Sequence, residues 1–158
     1  MTTHPATTRD EIILRNREIV AAHLEREVND LDAALDLYTD DVVWEAPGRG
    51  VILRGKEEIK ANYQELFSAL TIHSSTMLRQ VVCEEWVFND KLLRLTLTAP
   101  VRGLAFPPGS ELSVRKLGAF EIRDGLICRE ISHESWRPAG HPTDRDDLPP
   151  GAEPLGHP

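Results

Sequence analysis

Glu111–Trp136 reads ELSVRKLGAFEIRDGLICREISHESW, and the reading of this stretch decides the fold. Asp124-Gly125 at its middle is a strong hairpin turn. Residue types alternate on both sides of it. Leu112, Val114, Phe120 and Ile122 share one side of the first strand with Lys116 and Gly118. Cys128, Glu130, Ser132, Glu134 and Trp136 share one side of the second. A period of two on each flank of a turn is an antiparallel pair.

Working towards the N-terminus, the same period continues. Thr76–Phe88 reads as a long strand, Asn89-Asp90 as a turn and Lys91–Arg102 as the next strand. Within Lys91–Arg102, Leu93, Leu95, Leu97 and Ala99 lie on one side, and Arg94, Thr96 and Thr98 on the other. Gly103–Ser110, with Pro107-Pro108-Gly109, is a loop. Before Leu70 the period is helical. Thr8-Arg9-Asp10-Glu11 has the form of a capping box, and Ile12, Ile19, Val20, Leu24 and Val28 follow at helical spacing. Asn29-Asp30 interrupts this helix, and a short second one carries Leu31, Ala34, Leu35 and Tyr38. A strand beginning at Val42 stops at Pro47-Gly48, and Gly48-Arg49-Gly50 turns into a short strand, Val51–Arg54. A third helix from Lys56 places Ile59, Tyr63, Leu66, Phe67 and Leu70 on one face.

Three helices with a small hairpin among them, followed by four antiparallel strands, make an α+β fold. Its natural form is a cone: a curved antiparallel sheet with the helices covering one face and enclosing a pocket. The domain is expected over residues 9–137, with a flexible segment over 1–8. A tail rich in Pro, Gly and Asp is expected over 138–158.

Composition narrows the function. The chain has 158 residues, enough for one domain with its own core. Its net charge is −8 and no run of Lys or Arg occurs, which argues against nucleic acid and anionic membrane surfaces as partners. No apolar run is long enough to cross a bilayer, and Met1–Asp10 lacks the apolar stretch of a signal peptide, so a cytoplasmic location is expected. Cys83 and Cys128 fall in expected strands and read as lone core thiols of a reducing compartment. The histidines show no metal-ligand spacing, and no metal or cofactor is expected.

Three motifs carry a resemblance: Leu37-Tyr38-Thr39-Asp40-Asp41-Val42-Val43-Trp44, Gly55-Lys56-Glu57-Glu58-Ile59, and Phe120-Glu121-Ile122-Arg123-Asp124-Gly125-Leu126-Ile127. Together they resemble the SnoaL-like branch of the nuclear-transport-factor-2-like superfamily, over nearly the whole chain to Trp136. The loop Arg102–Gly109 resembles the Gly/Pro loop of the polyketide ester cyclases. The resemblance implies a pocket for a small organic molecule, but the fold hosts many reactions and also non-catalytic binders. Ala22, Ala46 and Gly118 stand where the resemblance puts the ketosteroid isomerase set, which is therefore absent. Arg94, Thr96 and Ser132 stand at the epoxide hydrolase set, of which only the arginine remains. Val101 and Ser132 stand at the ester cyclase histidine and acid. His73 resembles the histidine of the dehydratases, with Glu27 the nearest carboxylate for a partner.

The register implied by the resemblance turns Arg94, Lys116 and Glu130 into the hollow and the leucine face of Lys91–Arg102 outward. That convex leucine face would pack against a second copy of the chain. The expected catalytic residues are Glu130, Lys116, Arg94 and His73. Glu130 would take a proton, assisted or replaced by His73, while Arg94 and Lys116 stabilise the developing oxyanion. Trp44, Ala46, Tyr63, Thr96, Thr98, Val114, Ser132 and Glu134 would hold a small hydrophobic substrate. The expected function is cofactor-free acid-base chemistry (cyclisation, isomerisation or dehydration) on a carbonyl or hydroxyl compound. The alternatives are a non-catalytic binding protein of the same fold, or an epoxide or ester hydrolase in which Glu130 or Glu134 activates water.

Overall fold

The computed structural model describes residues 7–140 and 149–153. Residues 1–6, 141–148 and 154–158 of the two flexible segments expected from sequence lie outside that description. Helix α1 spans Arg9–Asn29 and opens with the expected capping box, Thr8 and Glu11 each satisfying the other's backbone donor. Its inward line is Asn16, Val20, His23 and Glu27. Three of those four are polar, so α1 brings hydrogen-bonding groups to the interior as well as apolar surface. Asn16 donates to the carbonyls of Cys83 and Glu84, at 3.0 and 2.8 Å, which fastens α1 to a turn of the sheet.

Asp30 accepts from the Ala33 amide and caps the short helix α2, Leu31–Leu35. Strand β1, Tyr38–Ala46, follows. Tyr38 therefore opens a strand and does not end the second helix. A 3-10 turn at Pro47–Arg49 closes through Gly50, whose φ of 65° suits glycine, and leads into β2, Val51–Arg54. Helix α3, Lys56–Ser68, leads to β3, Leu70–Val82. Strands β4, Trp86–Leu97, β5, Glu111–Arg123, and β6, Leu126–Pro138, complete the sheet.

The sheet order is β2-β1-β6-β5-β4-β3. The four long strands pair antiparallel as expected, whereas β1 joins β6 in parallel. Asn89-Asp90 is not a turn: both residues sit buried in the middle of β4, and the chain reverses at Cys83–Glu85. Partners supply what a turn would have left to water. Gln80 donates to Asn89 Oδ1 at 2.9 Å, and Arg115 clamps Asp90 with Nε and Nη2.

Residues directly opposite in an antiparallel pair share a face. Lys91 faces Lys116, Leu93 faces Val114, Leu95 faces Leu112 and Phe120 faces Glu130. The leucine side of β4 is therefore concave, and Arg94, Thr96 and Thr98 lie outside the hollow, opposite to the expected register. Apolar burial decides this: Leu95 and Leu97 join a core cluster with Leu112 and Val114, while Arg94 stays exposed. The orientation expected for Lys116 and Glu130 is the observed one. A second cluster, with Val20, Tyr38, Trp44, Ile59, Tyr63 and Phe120, fills the space beneath α1 and α3.

Candidate active site

Seven side chains from every layer converge at the closed end of the hollow. Glu130 on β6 is their centre and is fully buried. Its Oε2 accepts from the Tyr38 hydroxyl at 2.5 Å and from the Tyr63 hydroxyl at 2.9 Å. His23 Nε2 on α1 stands 3.3 Å from the same oxygen and 3.1 Å from the Tyr38 hydroxyl. Trp44 Nε1 donates to the Tyr63 hydroxyl at 3.1 Å. The other oxygen, Oε1, makes no hydrogen bond, and Lys116 Nζ lies 3.6 Å from it. Glu27, one helical turn beyond His23, brings its Oε2 within 3.6 Å of His23 Nε2, also without a hydrogen bond. Parallel pairing makes this possible: Trp44 stands opposite Glu130, so β1 delivers Tyr38 and Trp44 beside β6.

Burial governs the charges. Burial alone would raise the Glu130 carboxyl, but the His23 hydrogen bond, the Lys116 charge and the tyrosine donors hold it down to about 2. Burial would lower His23, and the Glu130 bond with the charges of Glu130 and Glu27 raises it on balance. Lys116 is likewise raised, because Glu27, Glu130 and Glu134 outweigh burial. Burial and then the Glu130 charge push both tyrosine hydroxyls well above their ordinary range, so they remain donors. Lys91 goes the other way. Burial, then the neighbouring Lys116 charge, lowers it.

A cavity of about 60 Å³ opens beside this network. Glu27, Tyr63, Lys91, Lys116 and Glu134 supply its polar wall, and Leu66, Phe67, Leu93 and Val114 are among its apolar residues. That volume holds about four waters, hence a compound of only a few heavy atoms. Glu134 is held by Ser132 Oγ at 2.8 Å, Trp136 Nε1 at 2.9 Å and Arg49 Nε at 3.2 Å. Arg49 in turn lies 5.3 Å over the Trp44 ring.

The structure therefore gathers Glu130, Lys116, Trp44, Tyr63, Val114, Ser132 and Glu134, with Ala46 buried in the core cluster beside Trp44. It does not bring Arg94, His73, Thr96 or Thr98 to them. His73 Nε2 bonds Thr96 Oγ1 at 2.7 Å on the outer side, where a surface depression also takes in Arg94 and Glu111. Thr98 is exposed and donates to the Ser68 carbonyl. Glu27 approaches His23, not His73. Sequence reading missed His23, Tyr38, Arg49 and Lys91. The available signal was polar: His23 and Glu27 sit four apart on the same stripe of α1 as Val20.

His23 Nε2 and one oxygen each of Glu27 and Glu130 lie within 4.8 Å of one another, a donor set of the kind zinc accepts. Glu130 Oε2 already receives two tyrosine hydroxyls, and a dication would also face the Lys116 ammonium. The set fits a shared-proton network better than a metal.

A curved sheet with helices over one face is the nuclear-transport-factor-2-like cone fold. Residues 17–130 match the SnoaL-like domain, and the chain belongs to that family. No curated protein matches it at a significant level. Among solved structures, it is similar to a candidate polyketide cyclase from Xanthomonas campestris, at 20% identity and a TM-score of 0.65. That match covers 77% of this chain and 91% of the other. An LEH-like epoxide hydrolase of M. tuberculosis matches at 19% identity and TM-score 0.60, covering 80% and 84%. A nuclear-transport-factor-2-like protein of Burkholderia xenovorans matches at 14% and 0.64, covering 78% and 91%. At such identities the likeness is one of fold. No helix among the described residues is long and apolar enough to cross a membrane.

Proposed function

We propose that this protein is a cofactor-free acid-base enzyme acting on a small carbonyl compound, with Glu27 as the proton acceptor and Lys116 facing the developing oxyanion. One observation carries the reading: Glu27 lines the cavity with Lys116, and its Oε2 is buried without a hydrogen bond. A carboxylate so placed is desolvated and free to take a proton from carbon. Glu130 suits that role less well. A carboxyl held near 2 does not accept protons at neutral pH, so Glu130 acts as the fixed anion that orients His23, Tyr38, Tyr63 and Lys116. The cavity volume selects a short aldehyde or ketone.

Proton exchange tests the reading directly. Incubation of propanal or butanone with the protein in deuterated buffer, followed by proton NMR, should show protein-dependent exchange beside the carbonyl. Glu27→Gln should slow that exchange by roughly 10²–10⁴-fold. A thermal shift with these compounds and no exchange would favour the non-catalytic binding protein. Uptake of labelled solvent oxygen from an epoxide or ester would favour hydrolysis.

We also propose that the convex sheet face pairs two copies of the chain. Its apolar residues are not the leucines of β4 but Val81, Phe88 and Leu117, respectively 62%, 47% and 53% exposed. Leu117→Glu should leave the fold intact and shift the sedimentation coefficient to that of a monomer; a wild-type monomer would remove the proposal. The unpaired Cys83 and Cys128 support placement in a reducing cytoplasm.

A further inference from the structure

The chain has four lysines, and three of them stand beside carboxylates. Lys56 pairs with Asp40 at 3.2 Å, Lys60 with Asp32 at 2.5 Å, and Lys116 approaches Glu130 at 3.6 Å. Lys91 is the exception. It is 8% exposed, lines the cavity and sits directly across β4 and β5 from Lys116. Among the described residues no carboxylate stands within ion-pair reach of it. A buried ammonium with a second ammonium beside it and no counter-ion is costly, and the cost falls away when the amine is neutral. A neutral primary amine lining a cavity is a nucleophile.

We infer that Lys91 is a covalent nucleophile that condenses with the carbonyl carbon of a small aldehyde or ketone to form an imine. The inference rests on the carbonyl reading of the cavity and deepens it. The lone pair of the neutral Lys91 amine forms the N–C bond while the C=O π pair moves to oxygen. That oxygen takes up a proton, giving a carbinolamine. The nitrogen pair then forms C=N as the C–O bond breaks, and the oxygen leaves as water with a second proton. Amine and carbonyl become imine and water, with no oxidant or reductant consumed. Glu27 in the cavity wall is placed to carry the proton from nitrogen to oxygen. Lys116 on β5 remains an ammonium and faces the oxygen as its charge develops. Glu27 of α1, Lys116 of β5 and Glu130 of β6 set the charge state of Lys91; burial and Lys116 favour the neutral amine, while the two carboxylates oppose it. Protonation of the imine would in turn acidify the neighbouring C–H, which links this step to the proton exchange proposed above.

The test is reductive trapping on the full chain. Propanal and sodium cyanoborohydride at neutral pH, read by intact mass and peptide mapping, should place one propyl group on Lys91. Its rate should exceed those of Lys56 and Lys60 by about tenfold or more. Lys91→Met and Lys91→Arg should both lose that label. Trapping at Lys91 should persist to lower pH than trapping at Lys60, whose ammonium Asp32 holds in place. Equal labelling of Lys56, Lys60 and Lys91, or an unlabelled Lys91 in a chain that melts cooperatively, overturns the inference. If Lys91 stays unlabelled while Glu27-dependent exchange continues, only the covalent step is lost. If both are absent, the carbonyl reading falls with it.

Discussion

The two faces of the central strands carry similar residue types and treat them in opposite ways. On the concave face, Lys91, Lys116 and Glu130 are enclosed by α1, α3 and the sheet, and their proton affinities move with burial and with one another. On the convex face, Arg115 clamps the buried Asp90, while Arg123 and Asp41 pair in open water. Exposed pairs of that kind contribute little net stability, because solvent screens them. Enclosure, not charge count, therefore decides which charges are shielded from solvent. A shift of one residue along any strand exchanges the two regimes.

Removing the central anion should produce the largest effect. Glu130→Gln leaves Lys116 and His23 without their buried partner and should cost about 3–5 kcal/mol in denaturant unfolding. A loss below about 1 kcal/mol would mean that the concave network is solvated like the convex pairs. Acid should act next most strongly. The Glu130 carboxyl is depressed in the folded chain, so its contribution is complete above the ordinary value of 4.5 and is lost as pH falls through about 2. The drop from 4.5 to about 2 corresponds to about 3 kcal/mol, measurable as a fall in melting temperature over that window. His23 has the opposite sign: its raised proton affinity stabilises the fold fully below the ordinary value of 6.5, and this contribution fades as pH rises through the folded value. Lys91→Met should stabilise the chain by about 1 kcal/mol, since it removes a buried amine without a counter-ion. A double-mutant cycle on Asp41 and Arg123 should give the smallest value, at most about 1 kcal/mol.

Much of this architecture was legible in the sequence, for identifiable reasons. Asp124-Gly125 and the alternation around it specify β5 and β6, and the same alternation puts Lys116 and Glu130 on one face. Alternation alone does not say which face is inside. For β4 the answer lay in Leu93, Leu95 and Leu97, whose burial outweighs any placement of Arg94. Lys91 was hidden because Asn89-Asp90 has the composition of a turn, and only Gln80 and Arg115, distant in sequence, make it a strand. His23 and Glu27 were hidden because helical stripes are traced through apolar residues, and this stripe is largely polar. Tyr38 depends on the parallel pairing of β1 with β6, which no local pattern encodes.

That parallel pairing also sets when the site can exist. Tyr38 and Glu130 are 92 residues apart in the chain, and the strands must reverse four times, at β1–β2, β3–β4, β4–β5 and β5–β6, before the two meet. Contacts of such long range form late and slowly. A ribosome releases α1, β1 and α3 well before β6, so His23, Tyr38 and Tyr63 emerge before the Glu130 carboxylate on which they converge. Docking of the last strand is then both the closing step of folding and the moment at which the buried network is first complete.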